Sequence, residues 1–358
     1  MSINVHTISK KFDAFLAVDN VSFDVEKGEL VSLLGPSGCG KSTILRIIAG
    51  LEQPDTGSVF LNGRNVNSLS ARDRRVGFVF QHYALFKHMT VGENIGFALS
   101  LLKIPKRQIA ERVAYLVDLV KLHGYEKHYP DQLSGGQRQR VALARSLAAE
   151  PGILLLDEPF GALDLKVRES LAGWLRQMHD KLDVTSIFVT HDQNEAMDIS
   201  DKIIVINKGH IEQTGTARRV YENPQNKFVA SFIGNINSID ATVRKDGIFV
   251  KGTDCRVGDS PACRDAKEDT VLLVRPEDIV INQNSSGLSA TITSIRYKGS
   301  FMELGLKFNG TIVKAIDFSK REWHTDQKVS INFKMFKLFE KPGTLNGEIY
   351  ENMDTIYN

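Results

Sequence analysis

Residues Leu30-Val31-Ser32-Leu33-Leu34 run straight into Gly35-Pro36-Ser37-Gly38-Cys39-Gly40-Lys41-Ser42, and Thr43 to Ala49 follow as a helix-forming stretch closed by Gly50. No other feature limits the possible folds so sharply. An apolar run, a glycine-rich octet and a helix in that order make a phosphate-binding loop, in which backbone N–H groups wrap phosphate oxygens at a helix N-terminus. The continuous apolar run suits a strand covered on both faces, as in a parallel sheet of an α/β fold. Lys41 is expected to reach β- and γ-phosphates and the Ser42 hydroxyl to hold Mg²⁺. Gly35, Pro36, Ser37, Gly38, Cys39, Gly40 and Thr43 complete the expected phosphate contacts.

Three further apolar runs resemble the first: Val76 to Phe80, Ile153 to Leu156, and Ser186 to Val189. Each ends in a distinctive polar residue: Gln81, Asp157-Glu158 and Thr190-His191. In open α/β sheets ligands bind beyond the carboxyl ends of the strands, so these residues are expected on one rim with the phosphate loop. Two adjacent carboxylates repel unless a cation lies between them. Asp157 is therefore expected to hold Mg²⁺, leaving Glu158 to orient or deprotonate the attacking water. Gln81 is a candidate for both metal and water, and His191 for a hydrogen bond to the γ-phosphate.

A second anion site is legible in Leu133-Ser134-Gly135-Gly136-Gln137, which opens the helix-forming run Val141 to Ala149. An exposed helix start presents unpaired N–H groups and the positive end of the dipole. Upstream, Ile109, Val113, Leu116, Val117 and Val120 keep helical spacing, so a helical insert (about 88–150) separates the second and third strands. Phe12 and Phe15, in a polar N-terminal stretch, are candidates to stack on a base.

After about Asn235 the pattern changes. Asp246-Gly247 and Asn309-Gly310 are hairpin signals between strand-like runs, and Thr270 to Val274, Ala290 to Ile295 and Lys328 to Phe333 read as strands. The expected division is 1–235 for the α/β domain and 236–358 for a small all-β, OB-like barrel. The 45 basic residues nearly balance the 43 acidic ones, for a net charge of +2, which argues against nucleic acid as the main partner. No apolar run approaches the ~18 residues of a membrane span, and Met1 to Lys10 lacks a signal-peptide core. Cys39, Cys255 and Cys263 are too few for a disulfide framework, as expected of a reduced compartment.

The motifs at 35–42, Gln81, 133–137, 153–158, Asp164 and His191 occur in the order of an ABC transporter nucleotide-binding domain, which the first ~234 residues resemble. The C-terminal part, with Leu273-Val274-Arg275-Pro276-Glu277-Asp278, resembles the regulatory barrel of ATPases in bacterial importers that use a substrate-binding protein. The stretch Arg72 to Thr90 is similar to the sulfate/thiosulfate importer ATPases. Importers of polyamines or sugars tend to have Ser in place of His82.

The resemblance implies a P-loop ABC ATPase that binds ATP and Mg²⁺ and works as a head-to-tail homodimer. It places Ser134, Gly135, Gly136 and Gln137 on the nucleotide of the other subunit. It also implies two transmembrane permease subunits, touched near Gln81 to Phe86, an extracytoplasmic sulfate-binding protein reached only indirectly, and a peripheral place on the cytoplasmic face of the inner membrane. Phe12 is the residue that corresponds to the adenine-stacking aromatic, although Asp13 stands where the family has Gly. The alternatives are an importer ATPase for polyamine, molybdate, iron or sugar, or a soluble non-transport ABC ATPase.

Overall fold

The computed structural model describes residues 1–161, 164–244, 246–252, 254, 256–258, 267–282, 287–319, 321–340 and 348–351. It divides into two compact units, Met1–Arg219 and Val220–Asn358.

The first unit opens with the antiparallel strands β1 (Ile3–Phe12) and β2 (Phe15–Val25), followed by β3 (Leu30–Leu34) and helix α1 (Lys41–Ala49). Next come β4 (Thr56–Leu61), β5 (Arg64–Asn65), the short helix α2 (Ala71–Arg74) and β6 (Gly77–Val79). A helical layer follows: α3 (Val91–Leu101), α4 (Lys106–Leu119) and α5 (Gly135–Leu147). The chain then returns through β7 (Ile153–Asp157), α6 (Leu165–Leu182), β8 (Thr185–Thr190), α7 (Gln193–Ile199), β9 (Lys202–Asn207) and β10 (His210–Gly215).

Two sheets result, one ordered β2-β1-β4-β5 and one ordered β10-β9-β3-β8-β7-β6. In the second sheet all pairings are parallel except β9 with β10. The apolar runs are continuous because both faces of this sheet are covered. Ile153 and Leu155 of β7 face one core together with β1, β2 and α1, whereas Leu154 and Leu156 face another with α3 to α6. The carboxyl ends of β3, β8, β7 and β6 therefore lie side by side in that order and deliver the phosphate loop, His191, Asp157-Glu158 and Gln81 to one edge. Helix starts are fixed by side-chain caps. Thr90 with Glu93 and Ser134 with Gln137 form capping boxes at α3 and α5. Asp164 caps α6 by accepting from the Val167 N–H at 3.1 Å, and Asp192 caps α7.

The second unit is mostly antiparallel β. One sheet combines β11 (Asn237–Arg244), β12 (Gly247–Val250), β13 (Arg256–Gly258) and β14 (Lys267–Val274) with two strands near the C-terminus. The other contains the strands Ile279–Asn282, Leu288–Tyr297, Met302–Phe308, Thr311–Asp317 and Lys328–Phe333. Both predicted hairpins are present, with Arg244 opposite Gly247 and Phe308 opposite Thr311. Arg275 ties residues 220–235 to this unit: its guanidinium donates to the carbonyls of Ile233, Asn235 and Tyr221. Cys255 and Cys263 lie outside the described residues. Among the described residues, no helix is long and apolar enough to cross a membrane.

Candidate nucleotide site

The loop after β3 is shaped by two glycines that admit no side chain. A Cβ on Gly35 would lie 2.1 Å from the Ile206 carbonyl oxygen. Gly40 has φ +101°, and a Cβ there would lie 2.2 Å from the Ala17 carbonyl oxygen. Between them Ser37 and Gly38 are exposed and Cys39 is buried, as is Lys41 just beyond Gly40. The Lys41 ammonium donates to the carbonyls of Gly35 and Pro36, both at 2.7 Å, and lies 3.7 Å from the Cys39 sulfur. Burial pushes the Cys39 thiol above its usual range, so it stays protonated at neutral pH.

Ser42, in the first turn of α1, donates its hydroxyl to Asp157 Oδ1 at 2.6 Å. Asp157 is 2% exposed at the end of β7. Burial raises its pKa, against the Ser42 hydrogen bond and the Arg46 guanidinium 3.9 Å away, which lower it. A hydroxyl and a carboxylate oxygen brought together fit Mg²⁺, which takes few protein ligands and completes its shell with phosphate and water. Among the described residues there is no cluster of three or more His, Cys, Asp or Glu side chains suited to a metal. Arg46 had no distinguishing mark in the sequence beyond its place one turn into α1.

The raised pKa has a signed consequence. The folded chain binds a proton at Asp157 more tightly than the unfolded chain, so stability falls as pH rises from the ordinary carboxylate range through the folded-state pKa. Asp157→Asn is expected to raise the unfolding temperature of the first unit at neutral pH. The gain should shrink toward about pH 4, where the unfolded carboxyl also protonates. The same substitution should abolish the extra stabilisation that Mg²⁺ gives in the presence of ATP. Calorimetry across that pH range, with and without Mg²⁺ and ATP, checks both parts.

Glu158 directly follows β7 with φ +44°, a left-handed backbone uncommon outside glycine. That turn directs its carboxylate toward the adjoining strand ends. Oε2 accepts from Gln81 Nε2 at 2.8 Å, and His191 Nδ1 lies 3.5 Å from Oε1. Three residues selected from three separate strand ends thus meet at one carboxylate. His191 is backed by a network with no evident sequence signal beyond the short spacing of Asp192 and Glu195. Thr190 donates its hydroxyl to the buried Glu195 carboxylate and accepts from the Asp192 N–H at 3.0 Å. Arg168 of α6 lies 2.9 Å from Asp192 and 3.5 Å from Glu195.

Ser134 is the exposed N-cap of α5: its hydroxyl accepts from the Gln137 N–H at 3.3 Å, and Gln137 Oε1 accepts from the Ser134 N–H at 2.8 Å. Gly135 and Gly136 are half-buried in the first turn. Phe12 ends β1 opposite Phe15 across a tight turn, in which Asp13 takes φ +48°. Asp tolerates that conformation better than most residues, which accounts for its presence where the resembled family has Gly. Phe12 is 43% exposed, with the Lys10 ammonium 5.3 Å from its ring centre. Phe15 is 60% exposed. Further along the same hairpin, Ala17 adjoins Gly40 of the phosphate loop.

A family model described as ABC transporter matches residues 18–161, and one described as TOBE domain matches residues 272–336. The sulfate/thiosulfate import ATP-binding protein CysA of Thermosynechococcus vestitus is 50% identical over 311 residues, covering 86% of this chain and 88% of that protein. The chain belongs to the ABC transporter ATP-binding proteins. The ABC ATPase is also 59% identical over 237 residues to the protein of the same name from Synechococcus elongatus, covering 66% of this chain and 69% of that one. Among solved structures, an ATP-binding cassette dimer in a post-hydrolysis state with ADP and Pi superposes with TM-score 0.55 at 34% identity. It covers 60% of this chain and 99% of that one. ATP is thus the nucleotide of the fold, and the matching cassette is a dimer.

Proposed function

We propose that this ABC ATPase energises import of sulfate and thiosulfate across the cytoplasmic membrane. The hydrolytic part of the reading is carried by the Gln81, Glu158 and His191 cluster beside the phosphate loop. The cargo is supported by the names of relatives that match along both units.

In this reading the phosphates of ATP lie on residues 35–43, and Lys41 exchanges the Gly35 and Pro36 carbonyls for β- and γ-phosphate oxygens. Phe12 stacks on adenine. Ser42 and Asp157, with Gln81 close by, hold Mg²⁺, which supplies positive charge against the phosphate oxygens. Glu158 takes a proton from the attacking water, while the Gln81 amide holds its carboxylate in place. His191 donates to the γ-phosphate. The helix end of a second copy, Ser134-Gly135-Gly136 with Gln137, closes over the same phosphate, so two copies related by a two-fold axis make two sites. Hydrolysis then adds negative charge at the interface, and repulsion between ADP and phosphate opens it. The segment His82–Thr90 passes the movement to two permease subunits, which an extracytoplasmic binding protein loads from the far side. The protein is peripheral on the cytoplasmic face, and its β-rich C-terminal domain, 236–358, is regulatory.

Deleting the gene and restoring either wild type or Lys41→Ala tests the cargo. Labelled sulfate uptake should return with wild type and stay at least about 100-fold lower with Lys41→Ala, the scale of losing a charged phosphate contact in a low-dielectric site. Unchanged sulfate and thiosulfate uptake in the deletion strain, with loss of uptake of another solute, would overturn it.

A further inference from the structure

The loop that follows Gln81 contains two consecutive residues other than glycine with left-handed backbone, Tyr83 at φ +60° and Ala84 at φ +45°. Such conformations persist only where the surroundings impose them. Here one side chain engages both: the Arg145 guanidinium donates to the Ala84 carbonyl at 2.7 Å and to the Tyr83 carbonyl at 2.8 Å. It also lies 5.5 Å from the centre of the Phe86 ring. A planar fork bonded to two successive carbonyls fixes orientation as well as distance.

Arg145 belongs to α5, the helix whose N-cap is Ser134. The far end of the loop is held separately by the fully buried Asn94 of α3. Its amide accepts from the Phe86 N–H and donates to the carbonyls of Phe86, Met89 and Thr90. The side chains of Tyr83 and Leu85 pack into the helical core, while His82, Lys87 and His88 face outward. The outward face is thus carried on an otherwise unfavourable turn, held by the helix that begins at Ser134.

We propose that Arg145 is a positioning residue that joins the Ser134 end of α5 to the turn at Tyr83-Ala84, so that nucleotide-driven movement of α5 reaches the outward face of the loop. This rests on the reading that the Ser134 end engages nucleotide in the dimer. Without the guanidinium, α5 still closes on ATP and the loop no longer follows.

Hydrogen exchange of the full-length protein, with and without ATP, tests this in a Glu158→Gln background that retains nucleotide. Without ATP, Arg145→Ala should speed exchange at the Tyr83 and Ala84 amides by about tenfold or more, the factor for a loss of ~1.4 kcal/mol. With ATP, segment 134–147 should be protected equally in both proteins, whereas segment 80–90 should gain protection only when Arg145 is present. Arg145→Lys, which can engage one carbonyl, should fall between the two, and it carries the test if circular dichroism shows the alanine variant unfolded. The proposal is overturned if exchange at Tyr83 and Ala84 is unchanged without ATP, or if segment 80–90 keeps its ATP-dependent protection in the variants. If ATP protects neither segment with Arg145 present, the dimer reading fails and the coupling role falls with it. The nucleotide-free arm still reports whether the guanidinium holds the turn.

Discussion

Glu158→Gln is expected to bind ATP with affinity within about threefold of wild type and to hydrolyse it at least 100-fold more slowly, within the ~10²–10⁴ span of a positioned general base. The substitution keeps the size and an acceptor oxygen, so the Gln81 amide that now donates to Glu158 Oε2 at 2.8 Å retains a partner. What it removes is proton affinity at the one carboxylate where Gln81 and His191 meet. Because the left-handed backbone at 158 is unchanged, the geometry around it should survive. ATP should then accumulate in a closed dimer, visible by size-exclusion chromatography as nucleotide-dependent doubling of mass. Steady-state turnover within threefold of wild type would remove Glu158 from the role of base and leave Asp157, already engaged by Ser42, as the nearest carboxylate.

Ser134→Arg should have an effect of similar size on a different step. The Ser134 hydroxyl is exposed and caps α5, and loss of a cap alone costs about 1 kcal/mol of helix stability. An arginine also fills the approach to the helix start with a long charged side chain. ATP binding by an isolated chain should change by less than about threefold, whereas ATP-driven dimerisation should weaken by at least 100-fold, or ~2.8 kcal/mol. Ser134→Ala separates the two contributions, because it loses the cap without adding bulk; its dimerisation should fall by no more than about tenfold. Equilibrium ATP binding and analytical ultracentrifugation read the two steps independently. Loss of ATP binding by the Ser134→Arg monomer would mean that the α5 end serves its own chain's nucleotide.

The parallel sheet was legible because its strands are buried on both faces and each ends in a residue with distinctive chemistry. The antiparallel sheet of β1, β2, β4 and β5 was not. In β1 the inward residues Ile3 and Val5 keep period two, but the next is Ile8, because Thr7 takes φ +48° and the register with β2 shifts there. A bulge removes the alternation by which a half-buried strand is recognised. At the site, Asp157, Glu158, Gln81 and His191 were readable from position alone, since strand order brings them to one edge. Arg145 and Arg168 were not, because the partners named for them lie 24 to 62 positions away or are backbone carbonyls without a sequence signature.

The strand that feeds the phosphate loop also pairs late during synthesis. Leu30 lies opposite Ser186, and the other neighbour of β3 begins at Lys202, so neither partner exists when β3 leaves the ribosome. At about 5–20 residues per second the chain needs on the order of 10 s to reach them. During that interval five residues destined for complete burial remain without their sheet, next to the locally formed β1–β2 hairpin. Such distant pairings slow folding and prolong exposure to aggregation. The arrangement that brings four strand ends to one edge therefore leaves β3 without either neighbouring strand until almost the whole first unit has been synthesised.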